Sequence, residues 1–430
     1  MRILLIAPCI SDFYSSPKRM SHLGLISLKN HLDKGHTVKI LNLYSPKARK
    51  RPLPKEFSYL NPYLRPNTGF FFSGYNSYTK GPGLLIKYLE EFRPDIAGIS
   101  AFTVCYYRDI AEIADSIKTF DANIPVIVGG TGAMAFPGTF EKISSIDYII
   151  KGNNLNNIKD IIENLHSCKN QRIIDSGTGE NWEMACNIGY TRYPLSFVMT
   201  RGCPNRCSFC SVYDVSGRRF LKSGLDTFQS ALKNMDKKRL WINFEDDNIS
   251  IDREYFDKLL SILIKHGEKS EISLTFMNGL DFATLDEYLI QRLKKAGLKY
   301  LNLTLASASS YSRAMLNRHQ SRVQYENIIN FAKKYSIDSI TYFICGIPGN
   351  DISSDMDTLK YLSGKDTLIG FSPFYPVSEK RIPEKYRCLD PVLFRGSAMQ
   401  PFNEQYTSQK LIEIFRNVCL INSKRPKTLK

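Results

Sequence analysis

The stretch Thr200-Arg201-Gly202-Cys203-Pro204-Asn205-Arg206-Cys207-Ser208-Phe209-Cys210 gathers three of the chain's ten cysteines on one short segment. Groups of Cys thiolates this close together hold iron–sulfur clusters. A structural zinc site normally has four protein ligands, and Cys186 and His266 lie far from the triad in sequence. The segment therefore predicts a 4Fe–4S cluster with one iron open to an exogenous ligand. A zinc site with a remote fourth ligand is the alternative.

The region around the triad alternates between apolar segments of strand length and segments of helical periodicity. Strands are predicted at 196–200, 240–245, 272–276, 300–305, 339–344 and 369–372. The helices between them include 255–265, 286–296 and 323–335. This alternation predicts an α/β fold of parallel units, a partial (β/α)6 TIM-like barrel with the triad directly after its first strand.

The residues before the barrel also alternate. Apolar segments at 2–7, 38–43, 96–100, 126–128 and 148–150 predict strands, with helices at 22–32, 84–92 and 107–119. Such a pattern predicts a Rossmann-like, doubly wound parallel sheet, whose ligands bind outside the carboxyl ends of the strands. We therefore predict a domain at 1–165, a linker at 166–190, the barrel at 191–377 and a C-terminal extension at 378–430.

Composition narrows the class of protein. With 43% hydrophobic and 23% charged residues, the chain can bury a core, which excludes wholesale disorder. No apolar stretch approaches the roughly 18 residues of a spanning helix, and residues 1–8 lack the features of a signal peptide. We expect a soluble, cytoplasmic protein with no membrane partner, in which ten cysteines do not form a disulfide framework. The net charge of +16 suits an acidic partner, although a lysine-rich solvated surface explains it more simply.

The triad and five further segments resemble the radical S-adenosylmethionine (SAM) enzymes, specifically the class B methyltransferase-like subfamily with an N-terminal cobalamin-binding domain. In that superfamily the triad follows the first barrel strand, and SAM chelates the open iron. The further segments match later strand ends in order: they are 245–248, 278–280, 303–309 with Arg318, 343–349 and 372–376.

The resemblance implies roles for individual residues. Cys203, Cys207 and Cys210 would ligate the 4Fe–4S cluster. SAM would be bound by Phe209, Asp246, Asp247, Asn278, Ser307, Arg318 and Gly346. Carboxylates suit the α-ammonium of SAM, a guanidinium can fork onto its carboxylate, and glycine lets backbone approach a nucleoside. Arg318 has an alternative role, capping the next helix or pairing with Glu326.

The resemblance of the N-terminal domain rests on 94–100, 126–130 and 146–152. It implies that cobalamin binds at Ser100, Thr103, Gly129, Gly130, Thr131 and Gly132, where small residues would leave a backbone-lined slot for a flat, bulky tail. None of His22, His31 or His36 lies in a D-x-H-x-x-G pattern, so cobalt should lack a histidine ligand. A glycine turn in a domain that has lost its ligand is the alternative.

Four functions remain open from sequence. The resemblance favours C-methylation of an unactivated carbon, on a protein side chain or a natural-product intermediate, through a 5′-deoxyadenosyl radical and methylcobalamin. It also implies an electron donor of the flavodoxin or ferredoxin type. A radical SAM cyclase or dehydratase is the second interpretation. An RNA-modifying enzyme is disfavoured because the N-terminal domain offers only Cys9 and Cys105, whereas methylthiotransferases carry three further cluster cysteines. A non-catalytic cobalamin or iron–sulfur sensor is the fourth.

Overall fold

A computed structural model of the chain describes residues 1–16, 20–64, 72–168, 171–188, 194–235, 238–318 and 320–425. The chain divides into two compact units. The first comprises residues 1–180, 214–216 and 376–400, and the second comprises 181–213, 217–375 and 401–430. The sequence predicts one C-terminal extension at 378–430. Its residues are divided here, with those up to 400 in the first unit and the rest in the second. The predicted domain boundaries therefore stay a proposal. Within the described residues, no helix is long and apolar enough to cross a membrane.

The first unit contains a six-stranded parallel sheet in the order β3-β1-β6-β7-β8-β9. Its strands are β1 Arg2–Ala7, β2 Ile10–Asp12, β3 Thr37–Asn42, β4 Tyr44–Lys50, β5 Asn76–Thr79, β6 Ile96–Ser100, β7 Val126–Gly129, β8 Tyr148–Lys151 and β9 Ile173–Asp175. Its helices are α1 Leu23–Leu32, α2 Pro82–Phe92, α3 Tyr107–Phe120, α4 Thr131–Ala135, α5 Pro137–Glu141 and α6 Leu155–Glu163. The doubly wound α/β fold that the sequence predicts is confirmed.

Both faces of this sheet are buried, as the near-continuous apolar runs of its strands require. Leu5 and Ile127 pack in one cluster with residues of α1 and α6. Leu4 and Val128 point to the opposite face and are fully buried too. The remaining strands form a small antiparallel sheet in the order β2-β5-β4. The part of the chain that contains β4 and β5 lacks apolar periodicity.

The second unit carries the partial barrel. Its strands are β10 Ala185–Cys186, β11 Leu195–Val198, β12 Thr200–Arg201, β13 Leu221–Lys222, β14 Arg239–Phe244, β15 Glu271–Phe276, β16 Tyr300–Ala306, β17 Asp338–Cys345 and β18 Leu368–Pro373. The remaining helices are α7 Val212–Val215, α8 Leu225–Lys233, α9 Arg253–Gly267, α10 Glu287–Lys295, α11 Ser310–Met315, α12 Arg322–Lys334, α13 Ile352–Ser363 and α14 Ser408–Ser423.

Six parallel strands follow one another around this barrel, as predicted. One group has the order β11-β14-β15 and the other β16-β17-β18. An isolated parallel bridge between Leu280 and Leu303 links the two groups. Rings of Phe197, Phe244 and Phe276 pack in series between the first strands, with centroids 6.0 and 5.3 Å apart. This core holds the carboxyl ends of the strands in a fixed arrangement.

Candidate active site

The cysteine segment begins at the end of β11 and is anchored by the acidic segment after β14. Asp246 Oδ1 accepts hydrogen bonds from the backbone N–H groups of Met199 and Thr200 and from the Thr200 hydroxyl. Asp247 Oδ2 accepts from the Gly202 N–H at 2.9 Å. Gly202 has φ 84°, and a Cβ there would collide with the Arg219 carbonyl oxygen, so only glycine fits this turn. The start of the loop is therefore set by neighbouring strand ends.

The three cysteines line one cavity of about 150 Å³ in the second unit. The other lining residues are Asn205, Phe209, Val212, Asp247, Asn248, Asn278, Gly279, Leu280, Asp281, Thr304 and Arg318. Among the described residues, no three His, Cys, Asp or Glu side chains can hold a single metal ion together. In a 4Fe–4S cluster, each of the three thiolates would bind a different iron.

Two of the sulfur atoms have a side-chain N–H donor. Asn248 Nδ2 lies 3.7 Å from Cys203 Sγ, and Arg318 Nη1 lies 3.7 Å from Cys207 Sγ. All four residues are less than a tenth exposed. Burial raises the pKa of the Cys210 thiol to about 11 and also raises the pKa of Cys203, so binding of iron by these residues must displace protons.

Four of the predicted SAM-binding residues lie on this cavity: they are Phe209, Asp247, Asn278 and Arg318. Asn278 Nδ2 donates to the Glu245 carbonyl at 2.9 Å, which leaves its amide oxygen available. Arg318 Nη2 donates to the Thr304 carbonyl at 2.8 Å, and its Nε has no partner. The alternative partner Glu326 instead accepts from Tyr361 and Lys365.

The other three predicted SAM-binding residues do not line the cavity. Asp246 is buried beneath the cysteine loop, and burial raises the pKa of its carboxyl to about 7. Ser307 is buried with its hydroxyl 3.2 Å from that of Thr358. Gly346 has φ 76° and donates its N–H to Asp355. The binding of SAM by these three residues stays a prediction.

The sequence did not single out several lining residues, of which Asn205, Asn248, Asp281 and Thr304 are polar. All four had a signal: Asn205, Asn248 and Thr304 stand inside the segments 200–210, 245–248 and 303–309, and Asp281 directly follows 278–280. Asp281 accepts hydrogen bonds from Asn205 and Gln320 and lies 4.0 Å from Arg318. The arrangement combines three thiols, two carboxylates and a buried guanidinium, which fits an anionic iron–sulfur cluster beside an amino-acid-like ligand.

The predicted cobalamin residues lie at the carboxyl edge of the sheet in the first unit. Gly132 N–H donates to the Ala101 carbonyl at 2.6 Å, and a Cβ on Gly132 would lie 2.7 Å from the Thr103 carbonyl carbon. The glycines therefore let two strand-end loops pack against each other, and the predicted slot at Gly132 is filled by backbone. The surface that remains exposed at this edge includes Phe102, Gly130 and Thr131, with Ser100 and Thr103 partly exposed beside them.

Comparisons with known proteins find a radical SAM domain and relatives named methyltransferases. The model of the radical SAM superfamily matches residues 197–362. A bacteriochlorophyllide d C-12(1)-methyltransferase of Chlorobaculum tepidum is 24% identical over 47% of this chain and 45% of its own length. An uncharacterized methyltransferase of Pyrococcus horikoshii is 22% identical over 80% of this chain and 82% of its own. The chain thus spans less than half of the first relative and most of the second.

A solved structure has the same fold over nearly the whole chain. This is the radical SAM methyltransferase TsrM from Kitasatospora setae with cobalamin and a [4Fe–4S] cluster bound. The two share 14% identity with a TM-score of 0.63, covering 92% of this chain and 84% of TsrM. The match supports the order of a Rossmann-like domain followed by a partial barrel.

Proposed function

We propose that this chain, which carries a radical SAM domain over residues 197–362, is a cobalamin-dependent radical SAM enzyme that methylates an unactivated carbon. The observation that carries the proposal is the cavity, because three thiols and the polar groups Asp247, Asn278 and Arg318 converge on it. A cyclase or dehydratase would use the same cavity, so the methyl-transfer outcome rests on the second cofactor and on the relatives named methyltransferases.

Cys203, Cys207 and Cys210 would hold the 4Fe–4S cluster, and when bound it supplies the electron that cleaves SAM reductively. Asp247 would accept a hydrogen bond from the α-ammonium of SAM with its carboxylate oxygen. Asn278 would accept from the same group with its amide oxygen. Arg318 is the cation for the SAM carboxylate. Phe209 lies on the cavity with its ring against the apolar cluster of Leu316 and Ile347, which fixes the backbone next to the last cysteine.

Cobalamin would bind at the carboxyl edge of the first unit's sheet, on the loops after β6 and β7. Gly130 and Thr131 expose backbone there, and Phe102 adds an apolar surface for a flat ligand. We propose that cobalt has no histidine ligand. Labelling the histidines of the chain with nitrogen-15 should then leave the electron paramagnetic resonance spectrum of the cob(II)alamin form unchanged. A spectrum that changes with the label would contradict this and point to His22, whose Nε2 is buried without a hydrogen-bond partner.

The electron donor would be a one-electron carrier of the flavodoxin or ferredoxin type. The cysteine loop exposes Pro204, Arg206 and Ser208. Residues 195–213 and 307–325 contain no Asp or Glu, so the rim of the loop suits an acidic carrier. Because free thiols and a reducible cluster suit a reducing compartment, we propose a cytoplasmic enzyme. Its substrate would be a protein side chain or a small-molecule intermediate, and nucleic acid is not favoured.

The test is anaerobic reconstitution with iron, sulfide and cobalamin, followed by product analysis with methyl-labelled SAM. The triple variant of Cys203, Cys207 and Cys210 to Ala should lose the cluster absorbance and all 5′-deoxyadenosine formation. A matched variant of the exposed Cys388 and Cys419 to Ala should retain both. A full cluster in the triple variant would refute the site. If SAM is cleaved but no product carries the methyl label, the cyclase or dehydratase is favoured.

A further inference from the structure

Two side-chain N–H groups that donate to cysteine sulfurs would also affect the properties of a cluster bound by those cysteines. Asn248 and Arg318 stand on different strand ends, after β14 and after β16, yet each directs a nitrogen at a different sulfur over the same 3.7 Å. The positions are held by other contacts. Ser250 donates to Asn248 Oδ1 at 3.3 Å, and the Thr304 carbonyl accepts from Arg318 Nη2 at 2.8 Å.

The charge around Arg318 is only partly balanced. Asp281 is the nearest carboxylate, but it lies 4.0 Å from the guanidinium and already accepts from Asn205 and Gln320. In a buried site a charge is screened less than in water, so the guanidinium acts strongly on the sulfur of Cys207. Asn248 adds a neutral N–H dipole to Cys203.

Hydrogen bonds to cluster sulfurs and nearby positive charge raise a reduction potential, because the reduced cluster carries one more negative charge than the oxidised one. We propose that Asn248 and Arg318 are positioning residues that raise the reduction potential of the cluster, by donating N–H groups to the thiolates of Cys203 and Cys207. The electron itself comes from the external carrier and adds to the cluster without a bond being formed or broken. The inference rests on the proposed cluster at these cysteines.

The experiment is a redox titration of reconstituted protein without SAM, followed by electron paramagnetic resonance of the reduced cluster. Asn248→Leu keeps the size of the side chain and removes its donor. Arg318→Met keeps the length and removes both donor and charge, whereas Arg318→Lys keeps the charge. Asn278→Leu is the matched control, because Asn278 lines the same cavity but donates to a backbone carbonyl.

At the potential where the wild-type cluster is half reduced, we expect the ratio of reduced to oxidised cluster to fall about threefold in Asn248→Leu and about tenfold in Arg318→Met, where tenfold is about 59 mV for one electron. Arg318→Lys should lie between wild type and Arg318→Met, and Asn278→Leu should titrate as wild type. Iron and sulfide content is measured on every sample.

If Asn248→Leu and Arg318→Met carry a full cluster and show the wild-type ratio of reduced to oxidised cluster, the inference is overturned. The assignment of the cluster to the three cysteines would remain. An equal shift in Asn278→Leu would also overturn it, since general polarity of the cavity would then be the cause. If Arg318→Met takes up no cluster, the redox titrations of Arg318→Lys and Asn248→Leu test the inference instead, and wild-type ratios in both would overturn it. Failure of the wild-type chain to hold a cluster would instead refute the proposed function.

Discussion

Asp246 and Asp247 are adjacent in sequence and have opposite environments. Asp246 is 4% exposed and uses one oxygen for three hydrogen bonds, while its other oxygen has no partner. Asp247 faces the cavity and holds the Gly202 N–H. Asp246 therefore stabilises the start of the cysteine loop, and Asp247 is the acid that we propose for the SAM site.

The buried acid predicts a pH-dependent stability. Burial, helped by the charge of Asp247, raises the pKa of Asp246 to about 7 from the ordinary value of 3.8. The folded state therefore binds the proton more tightly than the unfolded state, and stability is lost as pH rises between these two values. Asp246→Asn keeps an acceptor oxygen and cannot ionise.

We expect the melting temperature of Asp246→Asn relative to wild type to rise between pH 5 and pH 8, measured on metal-free protein by circular dichroism. Wild-type protein measured over the same pH range is the reference. A difference between Asp246→Asn and wild type that is constant with pH would contradict the assignment of a buried, protonated carboxyl.

Arg318 gives the second prediction at this scale. Arg318→Lys keeps the charge but loses the planar fork, so SAM affinity should fall roughly tenfold to a hundredfold, as the loss of a charge-assisted hydrogen bond of about 1.5–3 kcal/mol implies. Binding is measured on reconstituted protein of equal iron content. Arg313→Lys is the control: Arg313 is buried on α11 and donates to the carbonyls of Ser307 and Ala308. SAM affinity within twofold of wild type in Arg318→Lys would remove Arg318 from the SAM site.

At the scale of elements, contacts between loops decide the shape of the carboxyl edge in the first unit. The Gly132 N–H bonds to the Ala101 carbonyl, and Ala101 N–H bonds to the Gly129 carbonyl at 2.7 Å. The two strand-end loops thus continue the pairing of β6 with β7 beyond the strands. Any side chain at Gly132 has to displace main-chain atoms, which cannot rotate away as a side chain would.

Gly132→Ala should therefore destabilise the protein by about 1–3 kcal/mol, the usual cost of forcing extra atoms into a packed site. Gly83→Ala in α2 is the control, because a Cβ there meets nothing within 4 Å. Alanine in a helix is favoured over glycine by about 0.5–1 kcal/mol, so this variant should be neutral or slightly more stable. Chemical denaturation measures both, and equal stabilities would show that the loops can separate without cost.

The sequence predicts the elements with apolar periodicity and misses those without it. Every strand of the six-stranded sheet except β9 was predicted, because apolar runs such as that of β1 record burial directly. By contrast, β4 is exposed at most positions and forms by main-chain pairing with β5, which leaves no pattern in the side chains. Similarly, Phe209 lies on the cavity because it stands inside the cysteine segment, whereas the burial of Ser307 depends on its contact with Thr358, a residue distant in sequence.

At the scale of the whole molecule, residues 376–400 return to the first unit. Arg395 is the centre of this contact, 6% exposed, with hydrogen bonds to the carbonyls of Ser11, Cys105 and Val392. It also pairs with Asp12 at 3.2 Å. One buried side chain thus connects β2, the loop after β6 and the returning segment.

Arg395→Ala should destabilise the first unit by about 3–5 kcal/mol, because it leaves Asp12 as a buried charge without its cation. Arg387→Ala, on the same segment, removes an exposed pair with Glu384 and should change stability by no more than about 1 kcal/mol. Chemical denaturation followed by circular dichroism measures the difference. Similar losses in the two variants would mean that the returning segment is not part of the folded unit.

The return of residues 376–400 also sets an order of events during translation. The ribosome makes residues 1–180 first, yet the guanidinium that balances Asp12 emerges only after every strand of the barrel has been made. At about 5–20 residues per second, this interval lasts roughly 10–40 s. During that time the nascent N-terminal unit exposes an unpaired acid and the surface that the late segment will cover. A chaperone that binds nascent chains should therefore stay bound to this protein for longer than to a protein whose first domain is formed by one continuous segment.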